Sequence, residues 1–240
     1  MASVIVKKGV HGANALCTLT RSAEHLVIFF VGDRITELSI STEIVQLQDP
    51  VNICNILAKK YGEISQKSTI VVISPTRFQA STAAVYETFL PELTPTGEPL
   101  RYNGPCFRAS DQLLSLLEQD TMFRLLDLTP KAATATQAAA TAITTTLPAI
   151  DVIGFSKGGI VLNQLLAEVA AFSSTAQDSA TTTPRSAPLL RSLRHFHYLD
   201  VGLNRPGGYL ADPEVFSQLS TWCSTGGGNT KLRIILHGTP

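Results

Sequence analysis

The chain has 240 residues, 44% of them hydrophobic, with 19 basic and 19 acidic side chains. This is enough for one domain with a substantial core. Zero net charge with interleaved signs gives no electrostatic basis for binding nucleic acid or a membrane surface.

The four cysteines, Cys17, Cys54, Cys106 and Cys223, have neither metal-ligand spacing nor the density of a disulfide framework. They read as reduced, mostly buried thiols of an intracellular protein. The longest apolar runs, such as residues 26–31, are too short to span a bilayer. The first eight residues lack the apolar stretch of a secretory signal and, short and Arg-free, do not read as a transit peptide.

A first strand is expected over residues 2–8. The β-branched and aromatic run 25–31 predicts a strand buried on both faces, stopping at Gly32-Asp33. Residues 42–60 have helical spacing, with Pro50 breaking or starting a segment inside them. A second buried strand is expected at 69–73, a short helix at 81–90 and a Pro/Gly loop at 91–105. Residues 110–126 predict an amphipathic helix with Leu113, Leu114, Leu117 and Leu125 on or near one face. Residues 131–146, almost all Ala and Thr, and the Ser/Thr/Ala/Pro-rich 173–188 offer no large apolar side chains. Both read as surface insertions in a domain spanning 1–240.

Between these insertions lies the motif Gly154-Phe155-Ser156-Lys157-Gly158. A short β-prone stretch precedes it and a helix-prone stretch from Gly159 follows. Strand, sharp turn and helix is the context of a nucleophile elbow, in which a serine hydroxyl is lifted above the sheet edge. Further strands are expected at 195–200 and 232–236. Between them a helix over 213–223 is expected, with Asp212 as N-cap and Pro213 in its first position. Strands alternating with helices predict parallel β/α units, whose ligands sit beyond the C-terminal strand ends.

Gly32, Ser156, Asp200 and His237 all fall at such ends. A serine nucleophile needs a histidine base, and that base an orienting carboxylate. Ser156, Asp200 and His237 occur in the hydrolase order Ser, acid, His. An oxyanion hole is expected from the N–H of Lys157 and the loop at Val31-Gly32. The Lys157 ammonium reads as solvated, with an anionic substrate group as the alternative. His11 and His25 read as surface residues, and His195 and His197 as strand residues outside the chemistry. No metal and no cofactor is expected.

On these residues the chain resembles a little-characterised eukaryotic family of α/β-hydrolase-like proteins whose vertebrate member is associated with mitochondria. The resembling pieces are Phe29-Phe30-Val31-Gly32-Asp33, Ile73-Ser74-Pro75-Thr76-Arg77-Phe78, the Gly-Phe-Ser-Lys-Gly motif with its helix, Leu199-Asp200 and the closing His237-Gly238-Thr239-Pro240. The resemblance implies a mostly parallel α/β-hydrolase-like sheet flanked by helices, a serine hydrolase acting on a small acyl substrate, and Ser156 as nucleophile. It departs at Val31, where the family has Pro, and it implies a further helix, strand and histidine beyond this sequence. The residue order alone makes His237 the base. The resemblance makes it a strand-end residue, with an inactive scaffold as the alternative function.

Overall fold

The computed structural model describes residues 2–21, 24–36, 42–46, 48–64, 68–119, 147–175, 183–202, 207–225 and 232–238. The strands are β1 (Ser3–Gly9), β2 (Gly12–Leu19), β3 (His25–Phe30), β4 (Thr69–Ile73), β5 (Arg77–Gln79), β6 (Ala83–Val85), β7 (Ala149–Phe155), β8 (Leu193–Leu199) and β9 (Arg233–His237). The helices are α1 (Thr42–Gln46), α2 (Pro50–Glu63), α3 (Arg108–Leu117), α4 (Gly159–Thr175), α5 (Ala187–Ser192) and α6 (Pro213–Thr225).

Seven strands form one sheet in the order β1-β2-β4-β3-β7-β8-β9. β1 and β2 are an antiparallel hairpin, β2 is antiparallel to β4, and all later neighbours run parallel. β5 and β6 make a separate two-stranded hairpin. β3 and β4 are buried at every position, as their unbroken apolar runs require of central strands between two helical layers.

The layers are unequal. On one face α2 packs Ile53, Cys54 and Ala58 against Val27, Phe29, Ile70, Val72 and Ile153. On the other, Leu113, Leu116, Leu162, Leu165, Phe172 and Trp222 of α3, α4 and α6 join Leu26, Ile28, Phe30, Val152 and Phe196 of the sheet. Asp49 accepts the Val51 N–H at 2.9 Å, so Pro50 starts α2 rather than breaking it.

The sequence reading needs correction at four places. Residues 81–90 form β6 and turns, not a helix. Ala80 and Ser81 take positive φ at the hairpin bend, and the Ala84 N–H donates to the Asp33 carboxylate at 2.7 Å, a long-range tie that periodicity does not carry. β2 was not anticipated; its Asn14 sits among Ser74, Thr88 and Gln112. The ends of the 173–188 stretch belong to the interior, since Ser173, Ser186 and Ala187 are buried. Two of the four thiols, Cys106 and Cys223, are exposed, and all four are unpaired. The 131–146 insertion and the expected helix end beyond 119 lie outside the described residues. No described helix is long and apolar enough to cross a membrane.

One buried charge ties the larger layer together. Glu168 of α4 is wholly inaccessible and accepts the Ala109 and Ser110 N–H groups at the start of α3, each at 2.8 Å, and Gln164 Nε2 at 2.8 Å. These donors satisfy N–H groups that a helix start leaves without intrahelical partners. Burial pushes the Glu168 carboxyl from 4.5 up to about 7, although the same donors pull it down.

A raised carboxyl pKa means that the folded state holds the proton more tightly than the unfolded one. Stability therefore falls as pH rises from 4.5 to about 7, by up to about 3 kcal/mol from this group. The difference between wild type and Glu168→Gln in urea midpoints across that range isolates the effect. A difference that does not change with pH would contradict it.

Candidate functional site

β7 ends at Phe155, and the chain turns through a short 3₁₀ segment, Ser156–Gly158, directly into α4. Ser156 stands in the left-handed region at φ 47°, a conformation that costs a non-glycine residue about 1 kcal/mol or more. The turn is this tight because its glycines have no Cβ. A Cβ on Gly158 would stand 2.3 Å from the Phe30 carbonyl oxygen, and one on Gly154 2.7 Å from the Gly159 Cα. Phe30 pairs with Gly154 across β3 and β7, so the turn lies over the end of β3.

The loop after β3 runs beside this turn, and the position of a Gly32 Cβ lies 2.7 Å from both the Phe155 carbonyl oxygen and the Ser156 Cβ. The loop is firmly tied. The Val31 N–H donates to the Ile73 carbonyl at 3.2 Å, the Tyr86 hydroxyl donates to the Val31 carbonyl at 2.5 Å, and Arg34 N–H donates to the Thr82 carbonyl at 2.8 Å.

A cavity of about 230 Å³ opens here, lined among others by Asp33, Glu98, Ser156, Lys157, Ile160 and Val201. Lys157 is not solvated, contrary to the sequence reading. Its side chain is 7% exposed, its Nζ lies 2.9 Å from Glu98 Oε1, and it donates to the Thr96 carbonyl at 2.8 Å. One turn of α4 beyond Ile160, Asn163 accepts from the Tyr198 hydroxyl at 2.9 Å. It donates to the Tyr102 hydroxyl at 2.9 Å and the Gly208 carbonyl at 3.2 Å, anchoring the residues after the β8 loop.

Asp200 follows β8 beside Ser156, since Phe155 pairs with Leu199. It too has positive φ, 48°, and its N–H donates to the His237 carbonyl at 2.8 Å. The His237 imidazole does not join them. Its Nε2 is 3.0 Å from His197 Nδ1, and the two rings stack with centroids 5.3 Å apart. Two strand spacings, roughly 10 Å, separate the β7 and β9 ladders. No hydrogen bond joins His237 to Ser156. Ser156, Lys157, Gly32 and Asp200 are thus assembled at one rim, and His237 is turned to His197.

A second polar group was missed in the sequence. Asp151 of β7 is buried; its Oδ1 is 2.8 Å from His195 Nδ1, and its Oδ2 lies 3.3 Å from His25 Nε2 and accepts from the Tyr61 hydroxyl at 3.1 Å. His25, expected at the surface, is buried and held by Ser68 at 2.8 Å. Burial raises the Asp151 pKa, but hydrogen bonds and charge from His25 and His195 outweigh it and hold the carboxyl below its ordinary value. The only signal in the sequence was a lone carboxylate inside an apolar strand run.

The strand order, with its antiparallel first hairpin and parallel remainder, defines an α/β-hydrolase-like fold. No protein-family model matches the chain, and no curated protein matches it. Among solved structures it is similar to DcsB in complex with a substrate analogue, at 11% identity and TM-score 0.35, over 94% of this chain and 54% of that one. A lidless α/β serine hydrolase from Xanthomonas campestris is similar at 11% identity and TM-score 0.31, over 98% of this chain and 84% of the other. The hyperthermophilic esterase from the archaeon Pyrobaculum calidifontis is similar at 11% identity and TM-score 0.33, over 82% and 44%. The chain thus spans about half the length of the first of these. Identities and scores this low say nothing of activity or substrate.

The close approach at Gly158 sets a test. Gly158→Ala must displace the Phe30 carbonyl or the turn and is expected to cost about 1–3 kcal/mol. Gly238→Ala, with nothing within 4 Å of its Cβ position, is expected to change stability by less than about 0.5 kcal/mol. Equal thermal midpoints for the two variants would refute the packing account.

Proposed function

We propose that this chain is a serine hydrolase of a small ester, thioester or amide, with Ser156 as its nucleophile in a nucleophile elbow. The observation that carries the reading is Ser156 itself, held at φ 47° between a strand end and the start of α4, on the wall of a cavity of about 230 Å³. A left-handed serine between a strand end and a helix start, beside a cavity, is the geometry of a nucleophile elbow.

In this reading Ser156 Oγ attacks the acyl carbonyl carbon and loses its proton to a base. The carbonyl oxygen takes the negative charge, and the alkoxide, thiolate or amine leaves with a proton returned by the base; water, deprotonated by the same base, then attacks the acyl-serine, releasing the acid and restoring the Ser156 hydroxyl. The N–H of Lys157 follows the nucleophile and is one oxyanion donor. The Val31 N–H is engaged by Ile73, which leaves the Gly32 N–H as the donor from that loop. Lys157 Nζ, paired with Glu98, is a wall of the cavity and not a site for an anionic substrate group. Asp200 supplies the carboxylate. His237 acts as base once its ring leaves His197 and turns toward Asp200. The whole of 1–240 is read as one domain with no nucleic-acid partner, in an intracellular or mitochondrial compartment.

A second reading is a hydrolase-like scaffold that binds without turnover. It is favoured by the His237–His197 contact, which leaves Ser156 without a hydrogen-bonded histidine among the described residues.

A fluorophosphonate probe is expected to label wild type and to spare Ser156→Ala. Equal labelling of both, or of neither, favours the scaffold. If His237 is the base, His237→Ala lowers kcat/KM on an activated acyl ester by at least about a thousandfold, whereas retained turnover removes it from the mechanism.

A further inference from the structure

The sheet face covered by α2, whose Tyr61 reaches Asp151, carries Asp151 on β7, His195 and His197 on β8 and His237 on β9. Strand alternation sends His195 and His197 to this face and Phe196 into the opposite core. Asp151 and His195 are register partners, so their side chains meet directly. One donor atom from each of Asp151, His195 and His197 lies within 4.8 Å of the other two.

Asp151 and His197 each have an outer partner, and His195 is held by Asp151 itself. Tyr61 and His25 hold Asp151 Oδ2, Ser68 holds His25, and His237 Nε2 faces His197 Nδ1. That is the two-layered arrangement by which proteins orient metal ligands. The Asp151 carboxylate is buried, while the His195 side chain is 35% exposed, so the group is anchored at one end and reachable from solvent at the other. An isolated Asp–His pair would account for the contact of Asp151 with His195, but not for a second imidazole converging on it.

We propose that Asp151, His195 and His197 form a binding site for a divalent transition-metal ion, with Zn²⁺ as the first choice. Two imidazoles and a carboxylate suit Zn²⁺, Ni²⁺ or Cu²⁺ and not the all-oxygen preference of Mg²⁺ or Ca²⁺. Tetrahedral Zn²⁺ holds its donors about 3.3 Å apart, so loading rearranges the partly exposed imidazoles around the ion and leaves a fourth position for water. Asp151 lies toward the opposite end of β7 from Ser156, about 16 Å away along the strand. The ion is therefore a clamp between β7 and β8, away from Ser156, and the His197–His237 contact is what the two sites share.

The test uses tag-free protein with the exposed Cys106 and Cys223 thiols blocked, titrated with Zn²⁺ against a chromophoric chelator. One equivalent is expected to bind, the thermal midpoint to rise with Zn²⁺, and Co²⁺ in its place to give visible d–d absorption. His195→Gln keeps a donor for Asp151 and is expected to weaken binding by at least about tenfold; His197→Gln is expected to do the same, and His11→Ala to change nothing. Wild-type binding no tighter than that of His195→Gln, or no stoichiometric binding by wild type, overturns the proposal. A failed Zn²⁺ titration leaves the labelling of Ser156 untouched, whereas His197→Gln also removes the partner of His237 and is read by Zn²⁺ binding alone.

Discussion

The candidate site depends on how closely the turn after β7 lies on the end of β3. The position of a Gly158 Cβ is 2.3 Å from the Phe30 carbonyl oxygen, and that of a Gly32 Cβ is 2.7 Å from the Ser156 Cβ. Two backbones in contact leave no room for side chains between them. The chain can then enter α4 immediately, and Ser156 is the side chain left facing the cavity. The loop after β3 is drawn into the same contact, and its bonds to β4 and β6 keep it there. Displacing the turn would move the serine, the loop and the cavity wall together.

The helix behind the turn is unusual in what it buries. Asn163, Gln164 and Glu168 of α4 are almost wholly inaccessible, yet each is engaged with a loop or a helix start, and Asn163 with Tyr198 of β8 as well. Unpaired, such groups would cost about 1–3 kcal/mol apiece; paired, they fix which loop lies where. The hydrophobic layer holds the helices to the sheet without direction, and these polar contacts supply the direction. The opposite face works differently, with a small apolar patch under α2 giving way to the Asp151 and histidine group along β7 and β8.

Much of this was legible in the sequence. The apolar runs at β3 and β4 and the strands at β8 and β9 are local signals, as is the strand–turn–helix around Ser156, and Asp212 does accept the Glu214 N–H at the start of α6. What was not legible depends on distant partners. Residues 81–90 have spacing that fits a helix, but Asp33 and Thr76 tie them into a hairpin. Lys157 looks solvated until Glu98 is brought beside it. His25 looks superficial until Asp151, on the neighbouring strand, gives it a buried partner. Asp200 and His237 do stand at adjacent strand ends as expected, but which way an imidazole turns there is set by His197, and no spacing rule carries that information.

The contact of Glu168 with the start of α3 spans 58 residues of chain, from Ser110. Closing a loop costs entropy that grows only with the logarithm of its length, about 0.6 kcal/mol for each doubling. The length of chain between the two helices therefore enters the stability of the fold only weakly. The clasp at its ends answers to the geometry of two helices and not to the amount of chain between them.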